Sequence, residues 1–100
     1  TGRSTLGKAG NVNINVGESG SGTAGGVTVY AGQSIGEESD GGYVDIKSGY
    51  SDKASSGTIN IITSNGGEAG NSGVINLKTG STTNGESGSI SLTTGKTIIE

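Results

Sequence analysis

The sequence predicts an all-β protein that folds as a parallel β-solenoid of flattened, two-layer coils, each about 15–16 residues long. Three observations support this prediction. A glycine-led unit recurs through the 100 residues, the aliphatic side chains of each unit alternate with polar ones as in a strand, and the rest of each unit holds small residues in register. About six coils account for the whole of residues 1–100, which we interpret as a single repeat array within a longer chain.

Each unit opens with a glycine. Successive glycines of this row are 15, 17, 15, 16 and 15 residues apart, at Gly10, Gly25, Gly42, Gly57, Gly73 and Gly88. A period this short is typical of stacked repeats, because one unit cannot bury its apolar face without its neighbours. We predict that these glycines lie at corners with positive φ or at close backbone approaches.

Two aliphatic rows follow each glycine. The first lies two residues after it, at Val12, Val27, Val44, Ile59, Ile75 and Ile90, and the second two residues further on, at Ile14, Val29, Ile46, Ile61, Leu77 and Leu92. Alternation with period two predicts strands with one dry and one wet face, and β-branched side chains favour strands. These glycines and aliphatic residues are the predicted structural residues of the array.

The second half of each unit is rich in small residues. Two rows contain nothing larger than Ala or Ser: Gly7, Gly22, Ser39, Ala54, Gly70 and Gly85, and then Ala9, Ala24, Gly41, Ser56, Ser72 and Ser87. We interpret this half as a second strand that packs closely on the aliphatic rows. A flexible Gly/Ser linker is an alternative. Antiparallel hairpins are another, since Asn65-Gly66 and Asn84-Gly85 are typical turn pairs.

Composition excludes several functional classes. Only 27% of residues are hydrophobic, and Cys and His are absent, which removes thiol and imidazole chemistry. The net charge of −3 provides no basic patch for nucleic acid, and no apolar run is long enough for a membrane span. The sequence therefore predicts a protein that is not an enzyme and has no cofactor.

One acidic row is the single candidate for metal binding. Glu37, Asp52 and Glu68 share a position in the variable part of the repeat. Stacked carboxylates could hold a weak Ca²⁺ ion, or they could form a solvated acidic edge that resists aggregation. The second interpretation is favoured, because Lys53 lies beside Asp52 and relieves part of the repulsion.

Units of the form Gly-x-Val-x-Leu-x-x-Gly, joined by Ser/Gly/Thr-rich connections, resemble the β-solenoid repeat arrays of secreted adhesins, appendage filaments and viral fibres. The resemblance covers residues 7–95 and implies a structural, extracellular role at a cell or virion surface. It implies self-association end to end or with further repeats of the same chain, and exposed Ser and Thr could carry O-linked sugars. The alternative function is a surface-binding module for ice or glycans.

Overall fold

The structure is a computed structural model that describes residues 1–99; Glu100, the last residue of the predicted array, lies outside the described residues. Residues 1–99 contain no helix and no strand. The chain divides into two units, Thr1–Lys47 and Ser48–Glu100. Each unit is extended rather than compact, and none of the described residues is buried.

The prediction of a parallel β-solenoid is therefore wrong. A solenoid needs strands of successive coils to pair through their backbones, and residues 1–99 form no such strands. The thin core explains the failure. Each Val or Ile contributes about 1.5–3 kcal/mol when buried, whereas ordering the backbone costs about 1–2 kcal/mol for every residue of the unit. Two aliphatic residues in a glycine-rich unit do not offset that cost within one chain.

Each repeat instead has two parts of different character. We call the seven residues from each row glycine onward the apolar segments: 10–16, 25–31, 42–48, 57–63, 73–79 and 88–94. The residues before each of them are the connections: 2–9, 17–24, 32–41, 49–56, 64–72 and 80–87. The apolar segments all have the same length, and the length differences of the repeat fall in the connections.

The apolar segments contain no bend or turn. Their β-branched side chains restrict χ1 and favour extended backbone. Because side chains alternate in extended backbone, the two aliphatic residues of a segment lie on one side and the polar residue between them on the other. The sequence pattern therefore survives as a two-sided segment, although no segment pairs with another in the described part of the chain.

A bend or turn occurs in every connection, at 5–7, 20–22, 36–38, 52–54, 68–69 and 83–85. Gly7, Gly22 and Gly85 have φ of 94°, 82° and 140°, which is backbone that L side chains rarely adopt. All three belong to the small-residue row that we interpreted as a packed second strand. That interpretation is wrong, because at these three positions the small residue serves a bend.

Candidate functional site: the exposed aliphatic rows

The aliphatic rows are exposed to solvent in both units. In the first row exposure ranges from 47% at Ile59 to 74% at Val12, and in the second from 71% at Ile61 to 97% at Leu92. Exposed apolar side chains that form a patch typically mark interaction sites, and each apolar segment exposes two aliphatic side chains two residues apart. The rows that the sequence predicts as core are thus present as a surface.

The backbone of the apolar segments also lacks partners. Residues 1–99 contain three backbone–backbone hydrogen bonds, and each of them lies within a connection or at its end. The amides and carbonyls between the aliphatic residues are bonded to no other backbone group of the described chain. Free donors and acceptors along an extended segment form an open strand edge, which readily pairs with another extended backbone.

The row glycines lie where the connections close. Each connection returns so that the next row glycine lies against a residue nine to eleven positions earlier, which for five of the six is at or next to the end of the preceding apolar segment. A Cβ placed on Gly25 would lie 2.9 Å from Val16 Cγ1, and one placed on Gly42 would lie 3.0 Å from the Gly32 nitrogen and 3.4 Å from Ala31 Cβ. A larger residue at Gly42 would therefore press on backbone, which cannot move aside as a side chain can.

The same contact recurs, with more room, at the other row glycines. The corresponding Cβ distances are 3.4 Å from Gly10 to Thr1 Cγ2, 3.4 Å from Gly57 to Ser48 Cβ, 3.4 Å from Gly73 to Thr63 Cγ2, and 3.9 Å from Gly88 to Thr79 Cγ2. The predicted backbone approach is found at Gly42 and, at ordinary contact distance, at Gly57, whereas the other four row glycines face side-chain atoms. No glycine of this row has the positive φ that was the other prediction.

Backbone hydrogen bonds close two of the connections. The amide of Gly42 donates to the carbonyl oxygen of Gly32 at 2.9 Å, and the amide of Gly57 donates to the carbonyl oxygen of Gly49 at 2.9 Å. Within the connection 64–72, the amide of Gly70 donates to the carbonyl oxygen of Gly67 at 3.1 Å. The first two bonds join the start of an apolar segment to the start of the connection before it, across connections of different length.

A row of hydroxyl residues in the connections was missed by the sequence reasoning. Ser19 Oγ donates to the Ser21 carbonyl at 2.8 Å, Thr82 Oγ1 donates to the Gly85 carbonyl at 2.8 Å, and Ser51 Oγ accepts from the Ala54 amide at 3.0 Å. Bonds of this kind stabilise tight turns. The signal is visible in the sequence, because each of these hydroxyl residues lies two positions after a glycine.

The structure places the three predicted acidic residues in the bends and turns of the connections. Tyr50 Oη donates to Asp52 Oδ1 at 3.1 Å, and the other two, Glu37 and Glu68, are exposed. In residues 1–99, no three Asp, Glu, His or Cys side chains lie together so that they could hold a metal ion. The described residues therefore do not bring the predicted acidic row together as a Ca²⁺ site.

No pocket is found in the described part of either unit. A search of residues 1–99 also finds no helix of the length and apolar character that crossing a membrane requires. The binding surface of the described chain is therefore the edge of an apolar segment, which has aliphatic side chains on one side and free backbone groups between them. An edge of this kind is suited to bind extended polypeptide.

Comparison with protein-family models, with curated proteins and with solved structures gives no match for this chain.

Proposed function

We propose that this chain is a structural, non-catalytic segment of an extracellular filament, stalk or adhesin, located at a cell or virion surface. The observation that carries the proposal is the recurrence of one closing contact, between a row glycine and a residue nine to eleven positions before it, in all six repeats. Repeats of one unit add length and a recurring surface to a protein, which suits a structural role better than a role that depends on a single site.

The chemistry of the connections also supports this role. The connections expose hydroxyl side chains such as Ser55, Thr83 and Ser87, which water solvates well and which could accept O-linked sugars. The connections are also the part of the repeat that tolerates insertion, as exposed loops do. A hydrated surface of variable loops on a repeated scaffold suits a stalk or an adhesin.

The proposal is tested by immunogold electron microscopy of intact source cells or virions, with an antibody raised against this chain. We expect gold particles on surface appendages, and regular spacing along a fibre would identify the chain as a repeated component. Label confined to the interior of permeabilised cells would overturn the proposal. A freezing-hysteresis measurement adds a second check, because ice-binding activity would point to the alternative of a surface-binding module.

A further inference from the structure

We propose that the exposed aliphatic rows are an interface that copies of this chain form side by side, in parallel and in register. Pairing would occur between chains, unlike the stacking of coils within one chain that a solenoid requires. This inference goes beyond the proposed function and does not depend on where the chain works, since it rests on the apolar segments alone.

The first argument is the double requirement of each apolar segment. Its aliphatic side chains need apolar cover, and its backbone amides and carbonyls need hydrogen-bond partners. A folded apolar surface or a helix would meet the first need only, because its own backbone groups are already bonded. A second extended segment with the same alternation pairs with one backbone edge and sets its aliphatic side chains beside those of the first, and further copies can then cover that apolar face. Copies of this chain supply six such segments each, all of one length.

The area of the rows is the second argument. Twelve Val, Ile and Leu side chains form the two rows. Burial of one such side chain contributes about 1.5–3 kcal/mol, which at about 25 cal/mol per Å² corresponds to about 60–120 Å² of apolar surface. Complete cover of the rows of two copies in a larger assembly would therefore remove about 1,400–2,900 Å² from water. Stable protein–protein interfaces bury about 1,200–2,000 Å² in total, so the rows reach this size when most of their surface is covered.

The connections decide the orientation. They differ in length, with the longest at 32–41 and the next at 64–72. Parallel, in-register copies place each connection beside one of equal length and each apolar segment beside its counterpart. A net charge of −3 over 100 residues opposes this approach only weakly.

The end-to-end association that the sequence predicts was argued from a stack of coils. It assumed unpaired backbone ladders at the two ends of a coil stack, and residues 1–99 form no ladder. The unpaired groups lie instead along every apolar segment, which moves the expected contact from the ends of the chain to its sides.

Sedimentation-velocity ultracentrifugation of the chain tests the inference, with far-UV circular dichroism recorded over the same concentrations. We expect oligomers to form as concentration rises, together with a β-sheet signal as backbones pair between chains. A chain that stays monomeric to about 1 mM, where even an affinity of about −4 kcal/mol would show, would overturn the inference. The labelling result for the proposed function would be unaffected.

Two adjacent isoleucines provide a matched pair of variants. Ile61 belongs to the second aliphatic row and is 71% exposed, whereas Ile62 is 79% exposed but lies on the opposite side of the same segment. Ile61→Ser should raise the dissociation constant roughly tenfold to hundredfold, and Ile62→Ser should leave it nearly unchanged. Equal effects of the two variants would overturn the assignment of the interface to the aliphatic rows.

Parallel register is tested by disulfide formation, since the chain has no cysteine. In an Asn60→Cys variant, parallel in-register copies bring the two introduced thiols opposite each other, at the middle of the fourth apolar segment. Mild oxidation should then join the copies covalently. Copies that associate yet fail to crosslink at this position would overturn the parallel, in-register arrangement.

Discussion

The connections and the apolar segments of this chain differ in what holds them in place. Every connection contains a bend and ends at a close contact with a row glycine, and the hydrogen bonds found in residues 1–99 lie within the connections or at their ends. The apolar segments hold both aliphatic rows and have neither burial nor backbone partners in the described chain. The part with the weakest hydrophobic character thus has the most local structure.

The difference shows that one repeat contains a part held by local contacts and a part whose burial needs a partner. A bend, a hydroxyl–backbone bond and a glycine contact join residues at most eleven positions apart, so loop closure costs little and each connection can form by itself. Burial of the aliphatic rows needs a partner of matching pattern. The connections can therefore space the apolar segments before any partner is present, which lowers the ordering cost when one arrives.

Amide hydrogen exchange should show the largest effect. In dilute solution, the amides of Ile59 and Ile61 should exchange near the rate of an unstructured chain, because the described residues give them no backbone partner. At concentrations where copies associate, pairing should slow their exchange by about 100-fold or more. The amide of Gly57, already bonded to Gly49, should change less.

Protection of Ile59 and Ile61 that is strong in dilute solution and independent of concentration would contradict the comparison. It would mean that the apolar segments find a partner within their own chain. The measurement is exchange followed by NMR at two or more concentrations that bracket association.

Substitution at a closing contact should have an intermediate effect. In Gly42→Ala the new Cβ would lie 3.0 Å from the Gly32 nitrogen and 3.3 Å from its oxygen, which should break the bond between the Gly42 amide and the Gly32 carbonyl. A backbone hydrogen bond contributes about 0.5–1.5 kcal/mol, so the closed population should fall up to about tenfold. The temperature coefficient of the chemical shift of the residue-42 amide proton reports this population.

The adjacent glycine is the control. A Cβ on Gly41 would lie 3.9 Å from the Gly32 oxygen, which is ordinary contact, so Gly41→Ala should leave the closure intact. If both variants open the connection equally, the contact at Gly42 is not what closes it.

The bend glycines should give the smallest effect. Gly22 has φ of 82°, and an alanine there costs roughly 1 kcal/mol because of its Cβ. Gly22→Ala should therefore reduce the population of the 20–22 bend about fivefold, measured from backbone NMR couplings and nuclear Overhauser effects. Gly20→Ala is the control, since Gly20 has no positive φ and no atom near its Cβ position. Equal loss in the two variants would show that the bend does not depend on left-handed backbone.

Much of the local structure could be read from the sequence. Gly42 favours glycine because a Cβ there would press on the Gly32 backbone, whereas a Cβ on Gly10, Gly57, Gly73 or Gly88 would make contacts of 3.4–3.9 Å. The small residues of the connections also indicate a steric constraint, but the packed second strand that we inferred from them was wrong. Gly7, Gly22 and Gly85 are small because their backbone turns with positive φ, and smallness alone does not distinguish a bend from a packed strand.

The sequence by itself determined the repeat, the two-sided apolar segments and the positions of the glycines, because these depend on alternation and on local sterics. Only the tertiary structure decided that the aliphatic rows have no partner within the described chain. The physical reason is that period-two alternation specifies which side of a segment is apolar, but not what covers it. Val27 and Ile59 give the same sequence pattern whether they are covered by the next coil of their own chain or by another copy. Which of the two occurs depends on whether burial of two aliphatic residues can offset the conformational entropy lost when a unit is ordered.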